Sequence, residues 1–228
     1  MNILFAAATP FEIQPLLDYL KKKFVTSGHF TFQKGELEVS VLVTGVGLPM
    51  MAYGMGKILA NKEVHLAVNA GIAGAINREL NIGEVVQVSS ERFADLGVQE
   101  ADGSFTDVHE LGLIEASAAP FTNGKLLNAA AGQFHFLPIA HGISVNKVHG
   151  YPPDIDAIRA KYPDAEVESM EGAAFFYACR QEGIPFLEIR SISNYVEARN
   201  RENWNIPLAI EKLNEVLIEL VNSFFRQD

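Results

Sequence analysis

The feature that most constrains the fold is a regular alternation of short apolar runs with segments of helical period along the chain. Such an alternation is typical of a sheet whose faces are covered by helices. It predicts an α/β protein with three layers, α/β/α, around a central mixed and twisted sheet. The 228 residues contain no internal repeat, low-complexity tract or linker that would divide them, so we expect a single domain over residues 1–228.

Periodicity and turn residues place the individual elements. Thr9 and Pro10 form a cap-and-proline start for a helix. The predicted strands cover residues 2–8, 29–33, 37–44, 64–69, 84–89, 137–145, 165–168 and 185–193. The first predicted helix begins at Pro10. The other predicted helices cover residues 49–60, 154–161, 171–181 and a C-terminal segment with a stripe of apolar residues. Residues 94–136 carry little period, and so long an irregular stretch is usually functional or interfacial.

Charge and cysteine content disfavour several classes of function. The chain carries 28 acidic and 18 basic residues, a formal net charge of −10, which disfavours binding to nucleic acid or to an anionic membrane surface. Cys179 is the only cysteine, so an internal disulfide is impossible and a reducing compartment is the simpler expectation. No apolar stretch approaches the length of a membrane span. These features predict a soluble protein of the cytoplasm.

Two glycine-containing segments follow predicted strands. Gly45 and Gly47 lie between a strand and a helix, where glycines let the backbone approach a ligand closely. A plain tight turn explains them equally well, and the dinucleotide fingerprint lacks its third glycine. Residues 69–74 form a second predicted strand-to-turn element at the carboxyl end of the sheet. It offers the backbone N–H groups of Ile72, Ala73 and Gly74.

Two carboxylates are expected at the same end of the predicted sheet. Glu12 follows the first strand, and Glu171 opens a helix directly after a strand. Proteins of the α/β class form their sites at this end. A carboxylate at a helix N-terminus also complements the helix dipole, so the position of Glu171 is equally open to a structural interpretation that needs no ligand.

Five motifs, in this order, resemble the family of purine nucleosidases and phosphorylases, and within it the bacterial methylthioadenosine and adenosylhomocysteine nucleosidases. The resemblance extends over nearly the whole chain. Its motifs are Ala7-Ala8-Thr9-Pro10-Phe11-Glu12, Thr44-Gly45-Val46-Gly47, residues 69–74, Ser169-Met170-Glu171-Gly172-Ala173-Ala174 and Arg190-Ser191-Ile192-Ser193-Asn194. The resemblance implies a nucleoside phosphorylase-like fold, cleavage of the bond between a purine and its ribose, and a homo-oligomer built from dimers.

The resemblance also assigns roles to single residues. It implies that Glu12 binds and polarises the attacking water, and that Met170 and Glu171 hold the ribose and its hydroxyl groups. These roles agree with the chemistry, because breaking an N-ribosidic bond builds positive charge on the sugar, which a nearby carboxylate stabilises in the transition state. The water arrives on the face opposite the departing base.

Asn194 departs from the pattern of this branch, which has an aspartate at that position to protonate N7 of adenine. Asparagine cannot donate a full proton. Adenine presents an acceptor, N7, beside a donor, N6, whereas a 6-oxopurine presents two acceptors, N7 and O6, and an amide can donate to both. Asn194 therefore predicts selection of hypoxanthine. This departure and residues 195–206 are similar to a branch of the family that hydrolyses an inosine-like nucleoside whose extended 5′ arm carries a benzoate.

Residues near these motifs bear on the nucleophile and on the 5′ arm. Relatives commonly have a hydroxyl residue at the position of Ile72, in a turn that helps phosphorylases cradle phosphate, so an apolar side chain there favours water. Arg199 and Arg201 are candidates to bind the substrate carboxylate through two parallel hydrogen bonds. A solvated surface loop is the alternative interpretation of both. Three aromatic residues either face the arm or belong to the core: Phe93, Phe105 and Trp204.

The leading hypothesis is a hydrolase that releases hypoxanthine from this nucleoside. The alternatives are a methylthioadenosine/adenosylhomocysteine nucleosidase, which Asn194 disfavours, and a purine nucleoside phosphorylase, which Ile72 and the charge of Glu12 disfavour. A nucleoside-binding protein without activity is disfavoured by the presence of both Glu12 and Glu171 in their motifs. The six histidines show no metal-ligand spacing, so we expect neither a metal nor an organic cofactor.

Overall fold

The computed structural model describes residues 1–128 and 137–225. Its strands are β1 (Asn2–Ala7), β2 (Val25–Gly28), β3 (Thr31–Lys34), β4 (Leu37–Val43), β5 (Leu66–Ala75), β6 (Val85–Glu91), β7 (Gly97–Gln99), β8 (Phe105–Asp107), β9 (Phe121–Thr122), β10 (Lys125–Leu127), β11 (Ile139–Ser144), β12 (Val167–Ser169) and β13 (Phe186–Tyr195). Its α-helices are α1 (Pro10–Lys23), α2 (Leu48–Leu59), α3 (Pro152–Lys161), α4 (Gly172–Gln181) and α5 (Ile206–Ser223).

Eleven of the described strands form one mixed sheet, as the alternation of apolar runs and helices predicts. The strand order is β2-β3-β4-β1-β5-β12-β11-β6-β10-β9, and β13 pairs in parallel with β5 and antiparallel with β6. The pairings among β5, β12, β11, β6 and β13 close on themselves, so these five strands form a ring. The ring brings the ends of several strands close to one point.

Helices cover both faces of the sheet and complete the predicted three layers. The spacing of the apolar residues in α1 puts Ile13, Leu16 and Leu17 on one buried face, which packs in the same cluster as Leu213 and Leu217 of α5. Helices α2 and α4 cover the other face, and α3 closes a smaller third cluster. Burial of each large aliphatic side chain contributes about 1.5–3 kcal/mol, so these clusters fix the sheet beneath the site.

The second glycine segment is the main difference from the sequence-based prediction. β5 continues through Ala75, so the expected turn at residues 69–74 is wrong. Glycine weakens a strand, but here β13 pairs with β5 along its length and β12 pairs with its end, and these ladders outweigh local propensity. The small residues are needed instead because neighbouring side chains lie directly over Gly71 and Gly74.

The stretch 94–136 contains more regular structure than its composition predicts. It holds the separate β7–β8 hairpin and the short β9–β10 hairpin, which joins the edge of the main sheet. Residues 129–136 lie outside the described part of the chain, so the prediction for that portion stays untested. β2 is a further strand that was not predicted, and it is an exposed edge.

Candidate active site

Glu12 is held by the first turn of its own helix. The hydroxyl of Thr9 accepts from the backbone N–H of Glu12 at 3.3 Å, while the backbone N–H and the hydroxyl of Thr9 donate to Glu12 Oε2 at 3.0 and 2.9 Å. This reciprocal pair is a capping box. The other oxygen, Oε1, accepts from the backbone N–H of Ile72 at 3.2 Å, on β5. Glu12 is 8% exposed. Its carboxylate therefore links the start of α1 to β5 in the central sheet, in addition to its part in the capping box.

Glu171 stands at the start of α4, but its side chain does not cap that helix. Its Oε1 accepts from the backbone N–H of Gly47 at 2.8 Å, across 124 residues of chain. Burial raises the pKa of Glu171 above its ordinary value, and the charge of Arg190 and the Gly47 N–H oppose this rise. The long-range bond favours a site role over simple complementation of the helix dipole.

The glycine turn before α2 provides the partner for Glu171. Gly45 and Gly47 have φ angles of 93° and 102°, a region that side chains rarely adopt, and the Gly45 N–H donates to the carbonyl of Ala8 at 3.1 Å. The turn is thereby tied to the end of β1, beside Glu12. Because the Gly47 N–H is bonded to a carboxylate, it is not available to hold an anion such as phosphate.

Arg190 is the central cation of the site, although the motif that contains it predicts no role for it. It is 1% exposed, and its Nε donates to Glu188 Oε1 at 2.7 Å. Its Nη1 lies 2.2 Å, and Glu12 Oε1 lies 3.0 Å, from the point where a Cβ on Gly71 would stand. The missing side chain of Gly71 thus gives the guanidinium its place beside Glu12.

The charges around Arg190 are strongly unbalanced. Burial acts to lower its pKa, but Glu188, then Glu171 and Glu12, raise that pKa above its ordinary value. Behind them, burial and then the charge of Glu188 raise the pKa of the fully buried Glu91 well above the usual range. Sequence reasoning missed Glu188 and Glu91. A carboxylate between the apolar residues of β13 is a signal that could have drawn attention to Glu188, whereas Glu91 ends β6 after two serines and gives no such signal.

Asn194 lies further along β13, beside Gly74. Its Nδ2 is 3.2 Å from the position of a Cβ on Gly74, and Gly74 is its register partner on β5. The side-chain Nδ2 donates to the carbonyl of Tyr195 at 2.9 Å, and Oδ1 accepts from the Ser193 hydroxyl at 2.8 Å. One amide N–H is therefore left for a ligand.

Other predicted residues divide between this cluster and the surface. Ile72 contributes its backbone N–H to Glu12, and the backbone of Met170 hydrogen-bonds to the Glu171 carboxylate and lowers its pKa, against the larger effect of burial. Ala73 is buried in the core, and its carbonyl accepts from the Ser193 hydroxyl. Arg199 and Arg201 are exposed, on the segment that follows β13.

The three aromatic candidates have separate surroundings. The guanidinium of Arg199 lies 5.3 Å from the ring centroid of Trp204, and Arg201 begins the short 3-10 helix Arg201–Asn203. Phe93 packs edge-on against Phe121 and Tyr177. Phe105, in β8, lies under the ammonium group of Lys161. Of these rings, Trp204 is the one joined to a candidate arginine.

Residues 1–128 and 137–225 contain no group of three or more His, Cys, Asp or Glu side chains arranged to hold a metal ion. Within the same ranges, no helix has the length and apolar character needed to cross a membrane.

The chain matches the phosphorylase superfamily over residues 2–225, and it belongs to that family. It is 33% identical over 184 residues to a futalosine hydrolase of Acidothermus cellulolyticus, an alignment that covers 79% of this chain and 74% of the relative. It is 32% identical over 209 residues to a 5'-methylthioadenosine/S-adenosylhomocysteine nucleosidase of Maridesulfovibrio salexigens, covering 86% and 87%. The predicted family is thereby confirmed, as is the predicted enzyme class, a hydrolase of N-glycosyl compounds.

Solved structures confirm the nucleoside phosphorylase-like fold. The nucleosidase of Colwellia psychrerythraea in complex with adenine has a TM-score of 0.79 at 21% identity, covering 97% of this chain and 95% of that one. The native futalosine hydrolase of Helicobacter pylori has a TM-score of 0.78 at 15% identity, covering 98% of each chain. At these identities the match concerns the fold, so the assignment of substrate depends on the site.

Proposed function

We propose that this protein hydrolyses the N-ribosidic bond of futalosine, releasing hypoxanthine and leaving dehypoxanthine futalosine, a step of menaquinone biosynthesis. The observation that carries the proposal is Asn194, placed beside Gly74 on the strand that also carries Arg190 into the cluster of Glu12 and Glu171. A relative of that name at 33% identity supports it.

Glu12 orders and activates the water. Its Oε2 is occupied by Thr9, and its Oε1, with one bond to Ile72, keeps capacity to accept from a water molecule. The water oxygen bonds to C1′ of the ribose and gives its proton to Glu12. The bond from C1′ to N9 breaks, and its electron pair leaves with the base.

Glu171 and Asn194 stabilise the two charges that separate in this step. The Glu171 carboxylate, fixed by the Gly47 N–H, accepts from ribose hydroxyls and stabilises positive charge on the sugar. The remaining N–H of Asn194 donates to the 6-oxopurine, where negative charge develops. An asparagine at this position favours hypoxanthine over adenine, because it does not supply the proton that adenine release requires.

Phosphorolysis is disfavoured by the charge of the site. Three carboxylates, Glu12, Glu171 and Glu188, lie close enough to Arg190 to raise its pKa, so a phosphate dianion would approach a cation that carboxylates already surround. The alternative of a methylthioadenosine/adenosylhomocysteine nucleosidase keeps one specific support, the relative that is 32% identical over 86% of this chain.

The 5′ arm and the assembly complete the proposal. We infer that Arg199, stacked on Trp204, binds the benzoate carboxylate, with Arg201 as the second candidate on the same exposed segment. The exposure of both side chains is compatible with an arm that extends out of the buried site. We also propose that the protein acts in the cytoplasm as a homo-oligomer built from dimers, like the family it resembles.

A nucleoside panel tests the function directly. The purified protein is assayed with futalosine, inosine, methylthioadenosine and adenosylhomocysteine, with and without phosphate, and the released base is identified by chromatography. We expect hypoxanthine release from futalosine at the highest kcat/KM and no dependence on phosphate. Preferred release of adenine would establish the alternative nucleosidase, and a requirement for phosphate would refute hydrolysis.

A further inference from the structure

A histidine and a glutamate form a buried pair that the proposed chemistry does not use. Glu168 lies in β12 and is 3% exposed, and its Oε1 accepts from the backbone N–H of His149 at 2.9 Å. Its Oε2 is hydrogen-bonded to His149 Nδ1. Both oxygens of one carboxylate therefore hold one residue, whose ring is oriented by them. No described residue is hydrogen-bonded to the other ring nitrogen, Nε2, and the His149 side chain keeps 13% of its surface exposed.

The register of the sheet places this pair opposite Asn194. Gly74 in β5 pairs with Glu168 on one side and with Asn194 on the other. Register partners on neighbouring strands point to the same face, and two strand spacings separate the outer pair by about 10 Å between Cα atoms. A Cβ on Gly74 would stand 3.0 Å from Val196 Cγ2 and 3.2 Å from Asn194 Nδ2, so neighbouring side chains pack closely over this glycine. Asn194 and the Glu168–His149 pair therefore lie on either side of the same strand and on the same face of the sheet.

The segments that carry the two groups are also bound to each other. The backbone N–H of Arg199, five residues after Asn194, donates to the carbonyl of Gly150 at 3.1 Å. His149 and Asn194 are thus fixed relative to one another from two directions, through the strand ladder and through this loop contact.

The 6-oxopurine needs a second donor that Asn194 does not supply. N7 and O6 are both acceptors, but one N–H of the Asn194 amide is bonded to the carbonyl of Tyr195. A carbonyl oxygen such as O6 accepts from two directions, one on the N7 side and one on the N1 side. A donor across Gly74 from Asn194 would approach from the N1 side.

We propose that His149, oriented by Glu168, is a base-binding and catalytic residue whose protonated imidazole donates from Nε2 to O6 of the departing 6-oxopurine. The proposal rests on the proposed function for its substrate class. The charged hydrogen bond strengthens as the electron pair of the broken bond spreads over the base, so it stabilises the transition state more than the bound substrate. Asn194 cannot transfer a full proton to the departing base, so the protonated imidazole of His149 supplies the positive charge that stabilises the base.

The groups around His149 favour the charged form. The hydrogen bond to Glu168 raises the pKa of His149, and burial opposes this rise. The negative charges of Glu168 and of Asp154 on α3 raise the pKa further, and the positive charge of Lys147 in the same loop lowers it. Arg199, on the segment after β13, is a further charged residue near this loop, since its side chain packs against Gly150. Once His149 loses its proton, Nδ1–H stays on Glu168 and Nε2 becomes an acceptor facing O6. The rate is therefore expected to fall as pH rises through the raised pKa.

Variants of both residues test this role, with His65→Gln as a control because His65 is an exposed histidine outside the site. We expect His149→Gln to lower kcat/KM for the 6-oxo nucleoside by roughly tenfold to a hundredfold, the loss of one charged hydrogen bond, and the 6-amino analogue by much less. The alkaline fall in kcat/KM should disappear in His149→Gln and move to lower pH in Glu168→Gln. An unchanged base preference with the wild-type alkaline fall overturns the role, as does an equal loss on both nucleosides accompanied by a lower Tm.

Free hypoxanthine gives a readout separate from turnover. In the wild-type protein and in His65→Gln, saturating hypoxanthine should shift the NMR signals of the His149 imidazole and raise its pKa. Unchanged signals overturn the role of His149 even when futalosine is hydrolysed. Failure of the wild-type protein to release hypoxanthine instead contradicts the proposed function, and it is observed before any variant is compared.

Discussion

The substitution Gly71→Ala tests whether the buried cluster is the reaction centre. The added Cβ would stand 2.2 Å from Arg190 Nη1 and 3.0 Å from Glu12 Oε1. Ordinary contact requires about 3.5 Å, so the guanidinium must move by more than about 1 Å. Arg190 is fully buried and bonded to Glu188, which leaves it little space to do so. The backbone of Gly71 is not left-handed, so the effect of the methyl group is steric.

The expected losses of stability and of rate follow from the interactions that the movement of Arg190 breaks. Loss of one partner of a buried ion pair destabilises a protein by about 3–5 kcal/mol. For a chain of this length that corresponds to a decrease in Tm of roughly 6–20 °C. A displacement of about 1 Å near a reacting group costs on the order of a hundredfold in rate. We therefore expect Gly71→Ala to lose stability and at least a hundredfold in kcat/KM together.

Urea unfolding and hypoxanthine release from futalosine measure the two effects. The matched control is Gly56→Ala in α2, where an added Cβ meets no atom within 4 Å. That variant should keep wild-type activity and gain about 0.5–1 kcal/mol, the usual benefit of alanine over glycine in a helix. Wild-type stability and activity in Gly71→Ala would refute the assigned packing of Arg190 against Glu12.

Three further substitutions test single roles, each checked against the wild-type Tm. Glu12→Gln should lower kcat by about 10²–10⁴-fold while a titration shows substrate binding largely intact; near-normal turnover would exclude Glu12 as the base. Glu171→Ala should raise KM and lower kcat, because its ribose contacts exist before the transition state and strengthen in it; a change in KM alone would contradict this. Asn194→Asp should lower kcat/KM for hypoxanthine release and raise it for the 6-amino analogue, by about 1–3 kcal/mol of discrimination; an unchanged preference would exclude Asn194 as the base reader.

Local sequence patterns were sufficient to predict the conformation of residues whose role depends on their own helix or turn. Thr9 and Pro10 predict the start of α1, which begins at Pro10 with Thr9 as its cap, and the apolar period of α1 identifies its buried face. The turn at Gly45 and Gly47 is likewise a local feature, because its positive φ angles require glycine. In each case the chain near the residue dictates its conformation.

The parts that sequence reasoning missed depend on pairing between distant strands. Residues 69–74 contain turn-forming glycines, and the ladders to β12 and β13 keep them extended. Arg190 is placed by the absence of a side chain at Gly71, a contact that spans more than a hundred residues. Glu168 lies on β12 and His149 lies in the loop between β11 and α3, so their contact depends on how that loop folds back over the sheet, and no spacing in the sequence predicts it.

The strand ring has a consequence for how base preference can change during evolution. A sheet closed on itself offers none of its members a free edge, and a slip of one residue would turn every side chain of a strand to the opposite face. Neighbouring members of the ring carry Asn194, Gly74 and Glu168. New specificities in such a scaffold are expected to arise by exchanging single side chains, with the backbone inherited unchanged, and ancestral enzymes with either base preference should superimpose closely over these strands.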